Sequence, residues 1–324
     1  QGADPEFAKA VATYLALVIS RMADFETSLA AWHPQWEFST HIFARQAIPM
    51  NWDYSELNPL SPILTGTWKS MFGQVWETLA NLVGIPIPDI PQPNVRHGSA
   101  TELPWADNFF DAVVTDPPYY DNVNYSNLSD FFYVWLKRSV GHLHPDLFAT
   151  PLTPKSQEMV ADAYRFGGRE SAKQHFESML LQSFREIHRV LKPEGIAVIV
   201  FAHKTTEAWE TVLSALAEAG LRTTMAWPIH TEMKARLLAQ ESAALASSIY
   251  MVCRKRLDNT TGYWSEVRRE TRERVERRLQ HFWDAGVRGA DMFISAIGAG
   301  MEVFTRYARV EKASGDPVSM GEFL

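Results

Sequence analysis

Apolar residues follow two patterns along this chain, a helical spacing near both ends and short continuous runs through the middle. Residues 8 to 31 repeat apolar side chains at helical spacing and stop before His33-Pro34, which predicts a helix with one buried face. Residues 38 to 66 lose that period and hold Trp52, Tyr54, Asn58 and Pro59, so they read as irregular structure. Helical spacing returns over 67–83. The proline-rich stretch from Ile85 to Pro93 predicts an extended connector.

From residue 94 onward short strands alternate with helices. Val95 to His97, Phe110 to Thr115 and Ile196 to Phe201 are the first predicted strands. Leu128 to Lys137 reads as an aromatic-rich helix, and 171–191 as a strongly amphipathic one ending at the turn Leu191-Lys192-Pro193-Glu194-Gly195. A helix over Thr206 to Glu218 ends near Gly220, a residue suited to the position just past a helix. Leu221 to Ile229 and Ser247 to Arg254 predict strands that close the sheet as a hairpin-like pair. The alternation places the chain in the α/β class, with a parallel sheet, an antiparallel edge and flanking helical segments.

Composition narrows the setting. In 324 residues, 46% hydrophobic content is ample for a real core, in one large or two modest domains. No uncharged run reaches the length of a membrane span, so no membrane partner is expected. The single cysteine, Cys253, lies in an apolar strand and predicts an intracellular, cytoplasmic protein without disulfides. A net charge of −7 argues against a protein that coats DNA mainly by charge, though a local basic groove remains compatible with it.

The candidate chemistry lies directly after the apolar run 109–114, where Thr115 to Tyr120 read Thr-Asp-Pro-Pro-Tyr-Tyr. An exocyclic amine on a nucleic-acid base has its lone pair delocalised into the ring. Methylating it requires acceptors that localise that pair toward an electrophilic methyl group. The Asp116 carboxylate can take one N–H and the Pro117 carbonyl the other, which is preorganised electrostatics rather than acid or base strength. Pro117 and Pro118 fix φ and remove backbone donors, and Tyr119 offers a face for a base taken out of its stack. A loop beyond the carboxyl end of a strand is also where open α/β sheets place ligands. The competing reading is an ordinary Pro-Pro turn with an incidental Asp. Tyr120, Asp121, Asn122 and Asn124 are the further candidates for lining the same pocket.

These residues resemble those of the Rossmann-like, S-adenosylmethionine-dependent amino-methyltransferases. More closely, the chain is similar to the large adenine-specific DNA methylases that carry a domain of unknown function at their N-terminal end. The likeness covers most of residues 8–310. It is carried by 10–16, 43–50, Gly98 to Pro104, Asp116 to Trp135 and Ala296-Ile297-Gly298. It implies transfer of a methyl group from S-adenosylmethionine to adenine N6 in DNA, and a place in restriction-modification or phage defence. It also sets Ser99 and Ala100 where the fold contacts the cofactor's adenine, although an ordinary strand-to-helix turn explains them equally.

Two family features are missing. No glycine-rich cofactor loop occurs between Gln1 and Phe110, where Gly66 and Gly73 are too far apart to form one, and no cysteine-rich segment is present. Residues 1–7 read as a cloning scar. The expected organisation is therefore a helical and irregular segment over 8–93, a catalytic region over 94–256 with an insertion at 141–170, and a helical extension over 257–324. The chain is then expected to be the catalytic-loop part of a methylase whose N-terminal part, or a split subunit, supplies the cofactor site.

Three other stretches carry competing readings. Gly141 to Gly168 reads as a long loop of the kind that reaches nucleic acid in amino-methyltransferases. Its His142 and His144 lack the cysteine or carboxylate neighbours of a metal site, so no metal is expected. Arg268, Arg269, Arg272, Arg274, Arg277 and Arg278 alternate with Glu266, Glu270, Glu273 and Glu276, which favours a salt-bridged helix over a DNA-contacting stripe. Gly298-Ala299-Gly300 sits in helically spaced apolar residues and reads as a close packing site rather than a cofactor loop. For the whole chain the alternatives are an RNA base amino-methyltransferase, which uses the same tetrapeptide, and a non-catalytic module that binds nucleic acid or a partner.

Overall fold

The computed structural model describes residues 2, 4–35, 37–43, 47–85, 93–120, 123–201, 203, 205–230, 247–287 and 289–324. Most of the proline-rich connector lies outside them. The chain forms two compact units, one joining Gln1–Asn94 to Val123–Glu158 and the other joining Val95–Asn122 to Met159–Leu324.

In the first unit, helix α1 (Pro5–Ala23) packs on α2 (Trp68–Val83) and α3 (Tyr125–Val140), and a short hairpin pairs β1 (Trp32–His33) with β2 (Phe38–Ser39). The Asp4 side chain accepts the Phe7 N–H at 3.1 Å, and Pro5 occupies the first turn. The run expected to be a cloning scar thus supplies the cap and start of α1. This helix stops at Ala23, short of the predicted residue 31. The Asp24 carboxylate holds His41 Nδ1 at 2.6 Å and the Ile42 N–H at 3.2 Å, which turns the chain out of its helical path. Val18, Phe25 and Met71 form the buried centre of this unit. Gly66 closes onto it at φ +87°, where an added Cβ would stand 2.7 Å from Phe25 Cβ.

Residues 141–158 fold back along α3. The Tyr133 hydroxyl donates to the Thr150 carbonyl at 2.6 Å, and the Thr153 N–H and the Lys155 ammonium meet Asp130 at 2.9 and 2.7 Å. Burial works to raise the Asp130 carboxyl, but the bonds from Lys155 and Thr153 outweigh it and hold the group below its ordinary value. Glu158 then accepts the Ser126 N–H at 2.9 Å at the positive end of α3.

In the second unit a four-stranded sheet has the order β3-β4-β6-β5, with β3 (Phe110–Thr115), β4 (Leu191–Phe201), β5 (Leu221–His230) and β6 (Ser247–Lys255). Only β3 and β4 run parallel; β4–β6 and β5–β6 are antiparallel. The fold is therefore mixed α/β with a mixed sheet, less parallel than expected, because the successive strands β5 and β6 pair as a hairpin and β6 is the one that lies beside β4. The strand predicted over 95–97 does not form. Among the described residues β3 pairs only with β4, and Val95 stays 92% exposed.

The predicted turn at Lys192 to Gly195 lies inside β4. Phe110 pairs with Leu191 and Ala112 with Ile196, so two steps on β3 face five on β4 and the extra residues bulge. Gly195 is required there, since a Cβ would stand 2.9 Å from the Asp111 carbonyl oxygen.

Helix α4 (Arg169–Val190) packs on β4, and α5 (Thr206–Glu218) packs on α4 and β5. Phe176, Phe184, Ile199, Leu213 and Leu216 are buried between them. Beyond β6, a parallel pair β7 (Thr261–Tyr263) and β8 (Arg309–Glu311) accompanies α6 (Trp264–Asp284), α7 (Ala290–Phe304) and the terminal turn α8 (Met320–Phe323). Gly298 lets α7 close onto Ala226 of β5. Two arginines of α6 find a carboxylate of α7, Arg278 meeting the buried Glu302 at 3.0 Å and the Arg274 Nε donating to it at 2.7 Å, and Glu270 of α6 meets Arg306 at 2.8 Å. Among the described residues no helix is long and apolar enough to cross a membrane.

Glu302 has a side chain only 4% exposed and faces two arginines, so Glu302→Ala leaves buried positive charge without its counterpart. Urea denaturation is expected to show a loss of about 3 kcal/mol, the lower end of the range for breaking a buried pair, because Arg274 keeps access to water. Arg269→Ala, which removes an exposed pair with Glu273, is expected to change stability by less than about 0.5 kcal/mol.

Candidate active site

The apolar run that makes β3 ends at Thr115, and the chain leaves the sheet through Asp116, Pro117, Pro118 and Tyr119. Pro117 is buried, Pro118 and Tyr119 are half-buried and Asp116 is exposed. The two prolines keep the stretch extended, and the chain then turns sharply at Tyr120, whose φ of +52° is rare for an aromatic residue. That conformation is held from two sides. The Tyr120 carbonyl accepts the Ala161 N–H at 3.1 Å, and its ring meets the buried Phe176 of α4 at 5.1 Å.

Tyr119 lies next to the carboxylate. Its hydroxyl donates to Asp116 Oδ1 at 2.7 Å, and its ring stands edge-on against Phe201 at 5.5 Å. In this structure the Tyr119 ring is therefore braced and its hydroxyl is engaged by Asp116, beyond the stacking face anticipated for it. One carboxylate oxygen, Oδ1, carries the tyrosine contact.

Phe201 is the last residue of β4 and gathers the other rings of the site. It meets Trp209 of α5 at 4.9 Å, edge to face, and lies nearly parallel to His203 at 6.3 Å. The Trp209 indole N–H donates to the His203 carbonyl at 3.0 Å. The Thr205 N–H donates to His203 Nδ1 at 3.2 Å, and the Thr205 side chain in turn caps α5 by accepting from Ala208. Below this group, Lys173 bonds Glu207 at 3.1 Å. That bond, with the nearby charges of Glu177, Glu207 and Tyr120, raises the Lys173 ammonium above its ordinary value despite partial burial.

Of the residues predicted for the site, Asp116, Pro117, Pro118, Tyr119 and Tyr120 come together at the carboxyl end of β3. Asp121 and Asn122 lie outside the described residues. Asn124 falls in the other compact unit, as the residue before α3, where its carbonyl accepts the Asn127 N–H at 3.1 Å. Ser99 and Ala100 are exposed and belong to a self-contained turn. Ser99 Oγ lies 2.7 Å from Thr101 Oγ1, and the Glu102 N–H returns to the Ser99 carbonyl at 3.2 Å. Arg189 of α4 pins the following segment through the carbonyls of Leu103 and Trp105 and through Asp107. Among the described residues no group of three His, Cys, Asp or Glu is placed to hold a metal ion.

Sequence reasoning passed over Phe201, His203 and Trp209. The signal was available in outline, since His203 follows an apolar strand at the same end of the sheet as Asp116. What the sequence does not carry is which strand lies next to β3. No protein-family model, no curated protein and no solved structure matches this chain.

Phe201 is 1% exposed and touches Tyr119, His203 and Trp209. Phe201→Ala is expected to reduce stability by about 3–5 kcal/mol through the cavity it leaves. A denaturation curve followed by tryptophan fluorescence checks this.

Proposed function

We propose that this chain is the amine-holding part of an S-adenosylmethionine-dependent methyltransferase that acts on adenine N6 in DNA. The observation that carries the reading is the Asp116-Pro117-Pro118-Tyr119 loop at the carboxyl end of β3, parallel to and level with the end of β4. An Asp followed by two prolines leaves a carboxylate and a donor-free backbone in one rigid stretch. Such a stretch suits a group that gives hydrogen bonds and needs none in return, as an exocyclic amine does.

Asp116 accepts one N–H of the amine and the Pro117 carbonyl accepts the other, which turns the nitrogen lone pair out of conjugation. Tyr119, fixed through its hydroxyl on Asp116 and its edge on Phe201, sets the carboxylate and walls the pocket. No tuned base is required in advance, because the nitrogen becomes acidic only once it is methylated.

The described residues fit the amine better than they fit S-adenosylmethionine. Ser99 and Ala100 are exposed in a closed turn, and no described glycine-rich loop links a strand end to a helix as a nucleotide cradle does. A second feature agrees with this. β3 reads as a fully buried strand, yet Val114 is 70% exposed and the strand has β4 as its only described partner. Ligand crevices in open α/β sheets form where strand order reverses, whereas here β3 stands at one end of the order. The proposed sheet is accordingly one half of a Rossmann-like methyltransferase fold, and the cofactor half comes from another part of the protein or from a split subunit.

Calorimetry with S-adenosylmethionine is expected to give no heat for this chain alone and saturable binding once the cofactor half is supplied. In that assembly Asp116→Ala is expected to lower methyl transfer to DNA by about 10²–10³-fold while the thermal unfolding of the chain stays unchanged. Retained transfer in Asp116→Ala overturns the assignment. Preference for RNA in competition moves the substrate to RNA, and absence of transfer by the assembled protein leaves a binding module.

A further inference from the structure

Helix α2 uses one face against α1, through the buried Met71 and the half-buried Val75, and leaves another uncovered. Trp68, Phe72, Trp76, Leu79 and Val83 recur at helical spacing along that second face. Trp76 is 59% and Val83 78% exposed. The Trp68 and Phe72 rings lie 6.0 Å apart and stack on each other. Trp76 has neither a ring contact nor a hydrogen bond among the described residues. Roughly half of three aromatic side chains and most of Val83 leave on the order of 500 Å² of apolar surface open to water. At the roughly 65% apolar share of homodimer contacts, that corresponds to about 800 Å² per partner, the size of a standard stable interface.

Gly73 lies on the same face, one turn before Trp76. A helix interior disfavours glycine, and an added Cβ at Gly73 would meet nothing within 4 Å, so no contact inside this chain calls for its small size. Trp76 and Gly73 are thus a projection and a notch side by side. When α2 pairs antiparallel with a second α2, a two-fold axis between Gln74 and Val75 sets each Trp76 over the other copy's Gly73. That axis passes close to the midpoint of Trp68–Val83, so the two faces overlap over nearly their whole length. Lys69 and Glu77 are the only charged residues of α2, and both are unpaired among the described residues. They share the flank on which Gly73 lies. The antiparallel two-fold keeps like flanks together and brings each Lys69 within about one turn of the other copy's Glu77. A parallel pairing would set Trp76 on Trp76 and leave both notches empty.

We infer that α2 is an isologous docking surface for a second copy of this chain, paired antiparallel with Trp76 of each copy seated over Gly73 of the other. The helices approach most closely at Gly73, where the missing side chain admits the indole. This pairing is independent of the chemistry proposed at Asp116.

Sedimentation velocity at concentrations up to about 50 µM is expected to show a reversible dimer of twice the mass of one chain. Trp76→Ala and Gly73→Gln are each expected to raise the dissociation constant at least about 10-fold. Glutamine is a better helix former than glycine but fills the notch. At dilutions where both proteins are monomeric, thermal unfolding of Gly73→Gln is therefore expected at or above the wild-type temperature. A glycine needed for packing within one chain would instead make the variant unfold earlier. Trp52→Ala, which removes an exposed tryptophan outside α2, is expected to leave association unchanged.

A short bismaleimide reports the register, because Cys253 is fully enclosed and does not react. A mixture of Gly73→Cys and Trp76→Cys chains keeps one native Trp76–Gly73 contact and places the two new thiols at the other. The mixture is expected to give cross-linked dimers, and each variant alone far fewer. A chain that stays monomeric, a dimer that neither Trp76→Ala nor Gly73→Gln weakens, or cross-links that form as readily in either variant alone would each overturn the pairing.

Discussion

The parallel pairing of β3 with β4 is the constraint on which the second unit depends. A parallel pair brings two carboxyl ends to the same end of the sheet, so the segment after Thr115 starts beside the end of β4, where the Tyr119 ring meets Phe201. The pairing survives a mismatch at its start, where Lys192 to Gly195 bulge from β4. Gly195 passes too close to the Asp111 carbonyl for any side chain, and Lys192 reaches Asp111 Oδ1 at 2.6 Å across the gap. The hydrogen bond and charge of Lys192 hold the Asp111 carboxyl below its ordinary value. Past the bulge the register runs unbroken from Ala112 to Thr115, and that regularity delivers Asp116 and Phe201 to one place.

What surrounds the pair converts position into rigidity. Burial between α4, α5 and the sheet fixes Phe201, and Phe201 in turn orients a tyrosine, a histidine and a tryptophan. The positive φ of Tyr120 is tolerated because Ala161 and Phe176 hold both its backbone and its ring. Elsewhere on the sheet α7 closes onto β5 through Gly298, and α6 is tied to its surroundings by Arg274 and Arg278 on Glu302 and by Glu270 on Arg306. The apolar interior is dense enough that Cys253, wholly enclosed, has its thiol pushed up to about 12 by burial and stays chemically inert.

Much of this was legible in the sequence wherever the information is local. The helix over Thr206 to Glu218, the strand Phe110 to Thr115 and the hairpin strands on either side of 231–246 formed at the predicted places, because periodicity and turn residues act over a few positions. Readings that needed a distant partner fared differently. Among the described residues Val95 to His97 has no ladder to join, and α1 gives way at Asp24 because residues 41 and 42 bond back to it. The segment 141–158 had the composition of a loop, yet Asp130, Tyr133 and Ser126 hold it along α3. For the candidate site, the Asp-Pro-Pro-Tyr-Tyr run was readable because its chemistry is contiguous. Phe201, His203 and Trp209 were not readable, because their relation to Asp116 exists only through strand pairing.

The sequence by itself determined which segments become helices and strands, where the chain must turn, and that a carboxylate followed by two prolines ends an apolar strand. Those properties follow from side-chain shape, φ restriction and hydrophobic period, each of which acts within one or two turns of chain. Only the tertiary structure decided that β4 lies beside β3, that the sheet is mixed, and that Tyr119 bonds Asp116 while its ring stands edge-on against Phe201. Strand neighbours and ring contacts are selected by the burial of whole faces at once, a collective choice that no short stretch of sequence contains.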